Sequence, residues 1–235
     1  LILTPSLKLK VTISYLHNEF TTTSIASLIM HLFLRSFSTA TAALLLTLVG
    51  LKPISADIVI PNSIKAFHQG DSLTGNGAAL QVINGSGMSK PDPNDPSTWT
   101  VNSTAWADDW QGFSTPSGNN TTWAVLDLGS PTPNLDQIYL WNVQENNARD
   151  RGTNRFNIFH ATSPTVTPPA TSGTVTSYNF ASGGWSKING TFSLAQGTGN
   201  GDSGQSFDVS AASGGRYIGL QLFSDHGGVC VCVGD

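Results

Sequence analysis

After residue 56, the chain consists of short segments with alternating apolar side chains, separated by turns rich in glycine, proline and asparagine. Ile218, Leu220 and Leu222 occupy every second position of one such segment, and Ile138 and Leu140 do the same in another. A period of two is that of a β-strand with one buried face, and no long helical period interrupts the series. Many short strands joined by loops predict an all-β fold, an antiparallel sandwich of jelly-roll type.

The predicted strands are bounded by the turn residues. They cover residues 56–60, 63–70, 78–88, 121–129, 135–143, 154–162, 176–188, 190–197, 205–210 and 215–225. A further segment, 100–113, contains the two tryptophans and two aspartates considered below. No repeat with the period of a solenoid or propeller is present, so residues 57–235 are predicted to form a single domain.

The segment 30–56 has the features of a secretory signal peptide. It begins at Met30, carries His31 and Arg35, continues with an apolar run from Thr41 to Leu51, and ends in small residues. The apolar run is too short for a membrane span, which needs about 20 residues. We therefore predict a helical leader cleaved after residue 56, a secreted product, and no integral membrane span after cleavage. Residues 1–29 precede this start signal and are interpreted as upstream sequence from a misplaced start.

Charge excludes one class of partner. The whole chain has 11 basic and 15 acidic residues; four basic and one acidic residue precede position 57, which leaves 7 basic and 14 acidic residues and a net charge of −7. Nucleic-acid binding needs a basic surface, so we expect no nucleic-acid partner. Few charges, with abundant glycine, serine and threonine, favour an extracellular β-rich protein.

The two cysteines and the histidines predict no catalytic or metal centre. Cys230 and Cys232 are two positions apart, so on a strand they point to one face, and a disulfide between them requires strained geometry. Two thiols alone do not complete a tetrahedral zinc site. His160 lies within a predicted strand and is interpreted as a packed residue, and no serine stands in a nucleophile motif.

Several segments occur in an order that resembles a known family. They are "ALQVINGSGM", "TTWAVLDLGSPTPNLDQIYLWNV", "RFNIFHATS", "GGWSKI" and "GGRYIGLQLFSD". Together they resemble the discoidin-like, coagulation-factor type C domains, which are galactose-binding-like β-sandwiches, over about residues 78–228. The family's last strand carries a glutamate that helps to bind structural calcium, whereas here "GGVCVCVGD" stands in its place, as a truncated or frame-shifted end would produce.

The resemblance implies a cofactor. The family places a calcium-binding loop where "INGSGM" stands here, so Asn84 and Ser86 become candidate ligands of a structural calcium ion. Asn84 occupies a position where the family commonly has an aspartate. The loop therefore carries one negative charge fewer, and its expected affinity for a hard cation is lower.

The stretch "WADDWQGF" carries the first group of candidate ligand-binding residues, which are Trp106, Asp108, Asp109 and Trp110. Adjacent residues of an extended segment point to opposite faces, so the two aspartates do not line one cleft as a glycosidase pair would. One aspartate can bind a cation or a sugar hydroxyl while one tryptophan offers a stacking face. The other interpretation places both tryptophans in the core and leaves the aspartates solvated.

A second polar segment runs from residue 142 to residue 155. Its candidate ligand-binding residues are Asn146, Arg149 and Arg151, whose amide and guanidinium groups suit sugar hydroxyls. The alternative interpretation is a solvated hairpin with Arg149 and Asp150 in local salt bridges. Loops at one end of the sandwich are where the resembling lectin-like domains bind ligand, so the resemblance implies that both polar segments meet there.

These observations predict a secreted, non-catalytic module that binds a carbohydrate or glycoconjugate in adhesion or in a surface matrix. One alternative is a glycan-active hydrolase or lyase on the same jelly-roll fold. Another is a purely structural extracellular component. The fold does not decide among the three, because this sandwich carries many functions.

Overall fold

The computed structural model describes residues 2–5, 57–66, 79–112, 122–165, 178–199, 201–228 and 230–234. One compact unit comprises Leu1–Ser6 and Ala56–Asp235, and a second comprises Leu7–Ser55. The predicted signal peptide at 30–56 and most of the segment 1–29 lie outside the described residues. None of the helices found in the described ranges is long and apolar enough to cross a membrane.

Strands make up most of the regular secondary structure of the described chain. The longer ones are β1 (Ile2–Pro5), β2 (Ser63–Ala66), β6 (Thr122–Asp127), β7 (Leu135–Leu140), β8 (Thr153–Ala161), β12 (Gln205–Asp208) and β13 (Tyr217–Asp225). Two-residue strands complete the set: β3 (Met88–Ser89), β4 (Thr100–Val101), β5 (Trp110–Gln111), β9 (Ser186–Lys187), β10 (Phe192–Ser193), β11 (Asp202–Ser203) and β14 (Cys232–Val233). One short α-helix, α1, spans Gln81–Asn84, and 3-10 helices span Pro96–Thr98, Trp106–Asp108, Arg149–Arg151 and Ser210–Ala212.

Two antiparallel sheets form the sandwich. The larger has the strand order β10-β8-β13-β6-β2, with β9 also paired to β8, and the smaller has the order β1-β7-β12. Short strands make a further sheet, β11-β4-β3, and the pair β14-β5. The prediction of an all-β antiparallel sandwich is confirmed.

The main core lies between the two sheets. Ile218, Leu220 and Leu222 of β13 are buried there together with Ile138 and Leu140 of β7. Both sets alternate along their strands as the sequence pattern predicts, because successive side chains of a strand point to opposite faces. The period of two thus identified the inward-facing residues of both sheets.

The outer face of the larger sheet carries a second, aromatic cluster. Trp123 and Val125 of β6 and Phe159 of β8 lie beneath Tyr178 and Phe180 from the segment before β9. The Phe180 ring approaches β13 so closely that a Cβ at position 219 would lie 2.3 Å from it, which explains the glycine there. The outer face is therefore covered by an aromatic loop on its β8 and β13 side.

Three of the predicted strands differ in the structure. Residues 57–60 form no strand apart from a single bridging residue, Val59. In the predicted strand 176–188, residues 178–185 contain no strand, and only β9 (Ser186–Lys187) is extended and paired. Within 78–88, the chain forms helix α1, whose Val82 packs into the core together with Ala79, which lies just before the helix. Gly85 ends this helix in the left-handed conformation, at φ 69°.

Candidate functional site

Loops gather at the end of the sandwich where β13 terminates. Asp225 at the end of β13 pairs with Thr153 at the start of β8. The 3-10 helix Arg149–Arg151 precedes Thr153 directly, and the Asp150 carbonyl accepts a hydrogen bond from the His226 amide at 3.0 Å. The polar segment that begins at residue 142 therefore lies at this end of the molecule, which we call the loop end.

Asn146 joins this segment to the loop that carries the tryptophans. Its backbone amide donates to the Thr104 carbonyl at 3.3 Å, and its side-chain Nδ2 donates to Thr104 Oγ1 at 3.1 Å. Asn146 itself is exposed. The structure thus brings together the two polar segments that the sequence analysis identified separately.

The two tryptophans of this loop have opposite environments. Trp106 begins a 3-10 helix and is 46% exposed, whereas Trp110 is 0% exposed and packs in the main core. Asp109 is also buried, at 4% exposure. The 3-10 turn rotates the chain between residues 106 and 109, so Trp106 alone presents a ring to solvent. Trp110 and Asp109 are thus both buried, and this burial does not favour their predicted role as ligand-binding residues, which stays a prediction.

Asp108 is half-buried and fixes the loops around it. One carboxylate oxygen accepts a hydrogen bond from Ser86 Oγ at 2.5 Å, and the other accepts one from Ser103 Oγ. Gln81 adds a further link, because its Nε2 donates to the Ala107 carbonyl at 2.8 Å. Helix α1, the turn after it and the Trp106 loop are therefore one hydrogen-bonded unit.

The candidate calcium ligands lie within this unit. Asn84 Oδ1 accepts a hydrogen bond from the Ser86 amide at 2.7 Å, and Asn84 Nδ2 donates to Gln81 Oε1 at 2.6 Å. The oxygen atoms of Asn84, Ser86 and Asp108 are of the kind that calcium binds, but only one of the three groups is a carboxylate. Within the described ranges, no group of three or more His, Cys, Asp or Glu residues could hold a metal ion. Structural calcium at this turn therefore stays a prediction, with weak affinity expected.

The two arginines at the loop end hold backbone and side chains in place. Arg149 Nη1 donates to the Thr198 carbonyl at 2.5 Å. Arg151 forms a salt bridge with Glu145, at 3.1 Å between Nη1 and Oε2. The sequence analysis kept local salt bridges of Arg149 and Asp150 as an alternative, whereas the ion pair found in this described segment joins Arg151 and Glu145.

The sequence analysis missed the buried amides that shape this end. Asn142 Nδ2 donates to the carbonyls of Thr153 and Ala195, at 2.9 and 2.8 Å. Gln144 accepts a hydrogen bond from the Gly199 amide at 2.9 Å. Both side chains satisfy backbone groups that a loop would otherwise bury unpaired. Two amide side chains, at positions 142 and 144, follow directly after a strand with clear apolar alternation. That pair is the sequence signal that could have indicated this role.

The two cysteines lie below Arg151 and pack with Val143. Both are buried as free thiols, and their Sγ atoms are 2.8 Å apart. The hydrogen bond between them lowers the pKa of Cys230 and, together with burial, raises the pKa of Cys232. Cys232 and Val233 form strand β14, which pairs with β5.

The histidines of the described chain make no contact suited to catalysis. His160 is half-buried in β8, and desolvation by burial lowers its pKa. His226 Nε2 lies 2.9 Å from the Leu194 carbonyl. The loop end can instead offer one exposed indole ring, one carboxylate and several amides on loops that hydrogen bonds hold in place.

The fold and this end of the molecule define an antiparallel β-sandwich with a polar, tryptophan-bearing loop surface. No protein-family model and no curated protein matches the chain. The chain is similar in structure to an F5/8 type C domain from Bacteroides fragilis (9% identity, 73% of this chain and 86% of that chain covered, TM-score 0.46). It is also similar to a fucose-binding module from Streptococcus pneumoniae (11% identity, 75% and 92% covered, TM-score 0.40). F5/8 type C is the family that the sequence motifs resemble.

Proposed function

We propose that this protein is a non-catalytic carbohydrate-binding module whose ligand binds at the loop end. The observation that carries the proposal is the exposure of Trp106, at 46%, on a loop that is otherwise fixed by buried and hydrogen-bonded neighbours. Ile60 is the other large hydrophobic side chain exposed to this degree in the described chain. An exposed aromatic ring costs free energy in water, and a ligand with an apolar face offsets that cost.

A sugar ring fits this combination of groups. Its C–H face packs on an indole ring, and its hydroxyls pair with carboxylate and amide groups at the edge. Asp108 lies on the loop that carries Trp106, and Asn146 hydrogen-bonds to Thr104 of the same loop. Because Ser86, Ser103 and Thr104 already hold these loops, a ligand has less conformational entropy to remove.

The two arginines have a supporting role in this proposal. The described hydrogen bonds of Arg149 and Arg151 each use Nη1. A guanidinium group has five N–H donors, so donors remain for a ligand hydroxyl while the loop contacts are kept. The arginines position the 144–151 segment, and their remaining donors can contact sugar at its edge.

The experiment is a glycan array probed with the full chain, followed by titration of each glycan that binds. Trp106→Ala should weaken binding by about tenfold or more, since central aromatic anchors dominate such interfaces. Ile60→Ala is the matched control, because Ile60 is 49% exposed and lies outside the loop end. Equal binding by the parent and Trp106→Ala would overturn the proposed site.

The same glycans distinguish the alternative functions. Release of reducing ends or of unsaturated products would identify a hydrolase or lyase instead. Asp109, one of the two neighbouring carboxylates, is buried, and Asp108 accepts two serine hydroxyls, so the described residues do not favour a pair of glycosidase carboxylates. Absence of any glycan ligand would favour a purely structural extracellular component.

Secretion is part of the proposal and has its own test. Positive charge, a short apolar run and small residues before position 57 support cleavage after Ala56. Mass spectrometry of protein from a secreting host should find Asp57 at the amino terminus. A secreted product that still carries residues 30–56 would contradict this part.

A further inference from the structure

A second pocket lies on the outer face of the larger sheet, away from the loop end. It has a volume of about 180 Å³ and is lined by Ser63 and Lys65 of β2, Asp127 of β6, and Tyr217 of β13, among others. Tyr217 and Asp225 are opposite ends of β13, which has nine residues. Eight steps along a strand correspond to about 26 Å, so the pocket and the loop end are well separated.

The strand register explains why a pocket forms at this corner. Asp127 pairs with Ser63 on one side and with Tyr217 on the other, so these three side chains form one row across the outer face. The aromatic cluster covers the same face near Phe159 and Val125. Thr165 bonds to Gly183 of that loop at 2.8 Å, and Pro164 forms one wall of the pocket. Within the described residues, the cover ends there and leaves the corner next to β2 uncovered.

The charged groups of this corner are two cations and one anion. Arg216 binds Asp127 through two hydrogen bonds of 2.8 Å each, and these bonds lower the pKa of Asp127. Lys65 is exposed and also lowers the pKa of Asp127 through its charge, but it forms no hydrogen bond or ion pair within the described chain. Lys65 and Arg216 together outweigh the single charge of Asp127, in a chain whose formal net charge is −4.

Uncharged groups surround Lys65 in an arrangement suited to a sugar. Tyr217 is half-buried at the wall, and the Arg216 guanidinium lies 4.9 Å from its ring centroid. Ser63 and Ser163 place exposed hydroxyls at the rim. An aromatic wall takes the C–H side of a pyranose, hydroxyls pair with its hydroxyls, and an ammonium group pairs with a carboxylate.

We propose that this corner pocket is a second binding site, which takes an acidic sugar unit of the uronate type. Lys65 binds the carboxylate, Tyr217 packs against the ring, and Ser63 contacts a hydroxyl. The site is independent of the loop end, because none of its lining residues belongs to the loops that carry Trp106 or Asn146. A glycan with both neutral and acidic units could then be held at two places on one module.

The test is a calorimetric titration of the full chain with sodium glucuronate, glucose and sodium acetate at low salt. Glucuronate should bind. Glucose, which lacks the carboxylate, and acetate, which lacks the sugar ring, should each bind at least about tenfold more weakly. Lys65→Gln should weaken glucuronate binding by about tenfold, because the charge-assisted bond is lost. Lys65 is exposed, so this substitution leaves the fold intact.

The matched control is Lys187→Gln. Lys187 is an exposed lysine of strand β9, which lies toward the edge of the same sheet opposite β2. This substitution should leave glucuronate binding unchanged. Trp106→Ala should also leave it unchanged, which separates this site from the loop end. The proposal would be overturned if acetate or glucose bound as tightly as glucuronate. It would also be overturned if Lys65→Gln bound glucuronate as tightly as the parent, or if the parent bound no glucuronate at all.

Discussion

Asp108 and Ser86 are 22 positions apart in sequence, yet their side-chain oxygens lie 2.5 Å apart. The same carboxylate also accepts a hydrogen bond from Ser103 Oγ. Asp108 is therefore the point at which the turn after α1 and the Trp106 loop are fixed to each other. Any ligand bound at Trp106 depends on this carboxylate, whether or not it touches the ligand.

Asp108→Ala should destabilise the protein and weaken ligand binding together. Removal of a charged acceptor leaves two hydroxyls without their partner, which should lower the free energy of unfolding by about 1–3 kcal/mol. Asp108→Asn keeps one acceptor oxygen and should have an intermediate effect. Urea denaturation measures the change. Asp136→Ala is the control, because the Asp136 side chain makes no hydrogen bond with other described residues; equal losses in both variants would contradict this role.

The two tryptophans of one loop should respond oppositely to substitution. Trp106→Ala should change the free energy of unfolding by no more than about 0.5 kcal/mol, because its ring is largely solvated. Trp110→Ala should cost about 3–5 kcal/mol, because it empties a filled part of the core. Thermal and urea unfolding give both values, and glycan titration should show a binding defect for a folded Trp106→Ala variant. A large stability loss at Trp106 would place its ring in the core instead.

Calcium, if it binds at the Asn84 turn, should act on stability and not on chemistry. One carboxylate among the oxygen ligands predicts a dissociation constant near the weak end for extracellular modules, about 10⁻⁴–10⁻³ M. At about ten to a hundred times that concentration, mass action adds about 1–3 kcal/mol to the native state. Differential scanning fluorimetry with calcium or chelator should show this rise for the parent and lose it in Asp108→Asn. An unchanged melting temperature in the parent would remove calcium from this loop.

The sheets were predictable because their side chains obey a strict period of two. Ile218 and Leu220 alternate with outward residues, and burial against the opposite sheet fixes that register. The segment 78–88 was misassigned because a short apolar run fits either a buried strand or one turn of helix. Tertiary contacts determine that this segment is helical. Val82 packs in the core, and Gln81 Nε2 donates a hydrogen bond to the Ala107 carbonyl.

The loop end was only partly predictable. Residue types marked the two polar segments, but the exposure of Trp106 and the burial of Trp110 depend on a 3-10 turn that no local period reveals. The hydrogen bonds of Asn142 and Gln144 join residues up to 55 positions apart, so sequence neighbours give no indication of them. The corner pocket depends in the same way on strand register, which places Ser63 beside Asp127.

The buried thiols should be protected from alkylation in the native state. Cys230 and Cys232 are 3% and 1% exposed, so reagent reaches them only when the terminal strand opens. Iodoacetamide labelling followed by mass spectrometry should give slow modification in buffer and fast modification of both thiols in urea. Cys230 should be labelled first, since its pKa is the lower of the two and the thiolate is the nucleophile. Fast labelling of both thiols in the native protein would contradict their burial.

The pair of Asp127 and Arg216 should make stability depend on pH in acid. The hydrogen bond from Arg216 lowers the pKa of Asp127 below its ordinary value of 3.8. A carboxyl group with a lowered pKa in the folded state contributes stability that is complete above its unfolded pKa and is lost as the pH falls through the folded pKa.

Asp127→Asn should therefore unfold at a lower urea concentration than the parent at pH 7. The difference should shrink as the pH drops below about 4. A constant difference between parent and Asp127→Asn from pH 7 to pH 2 would show that packing, and not the ionised pair, accounts for the effect.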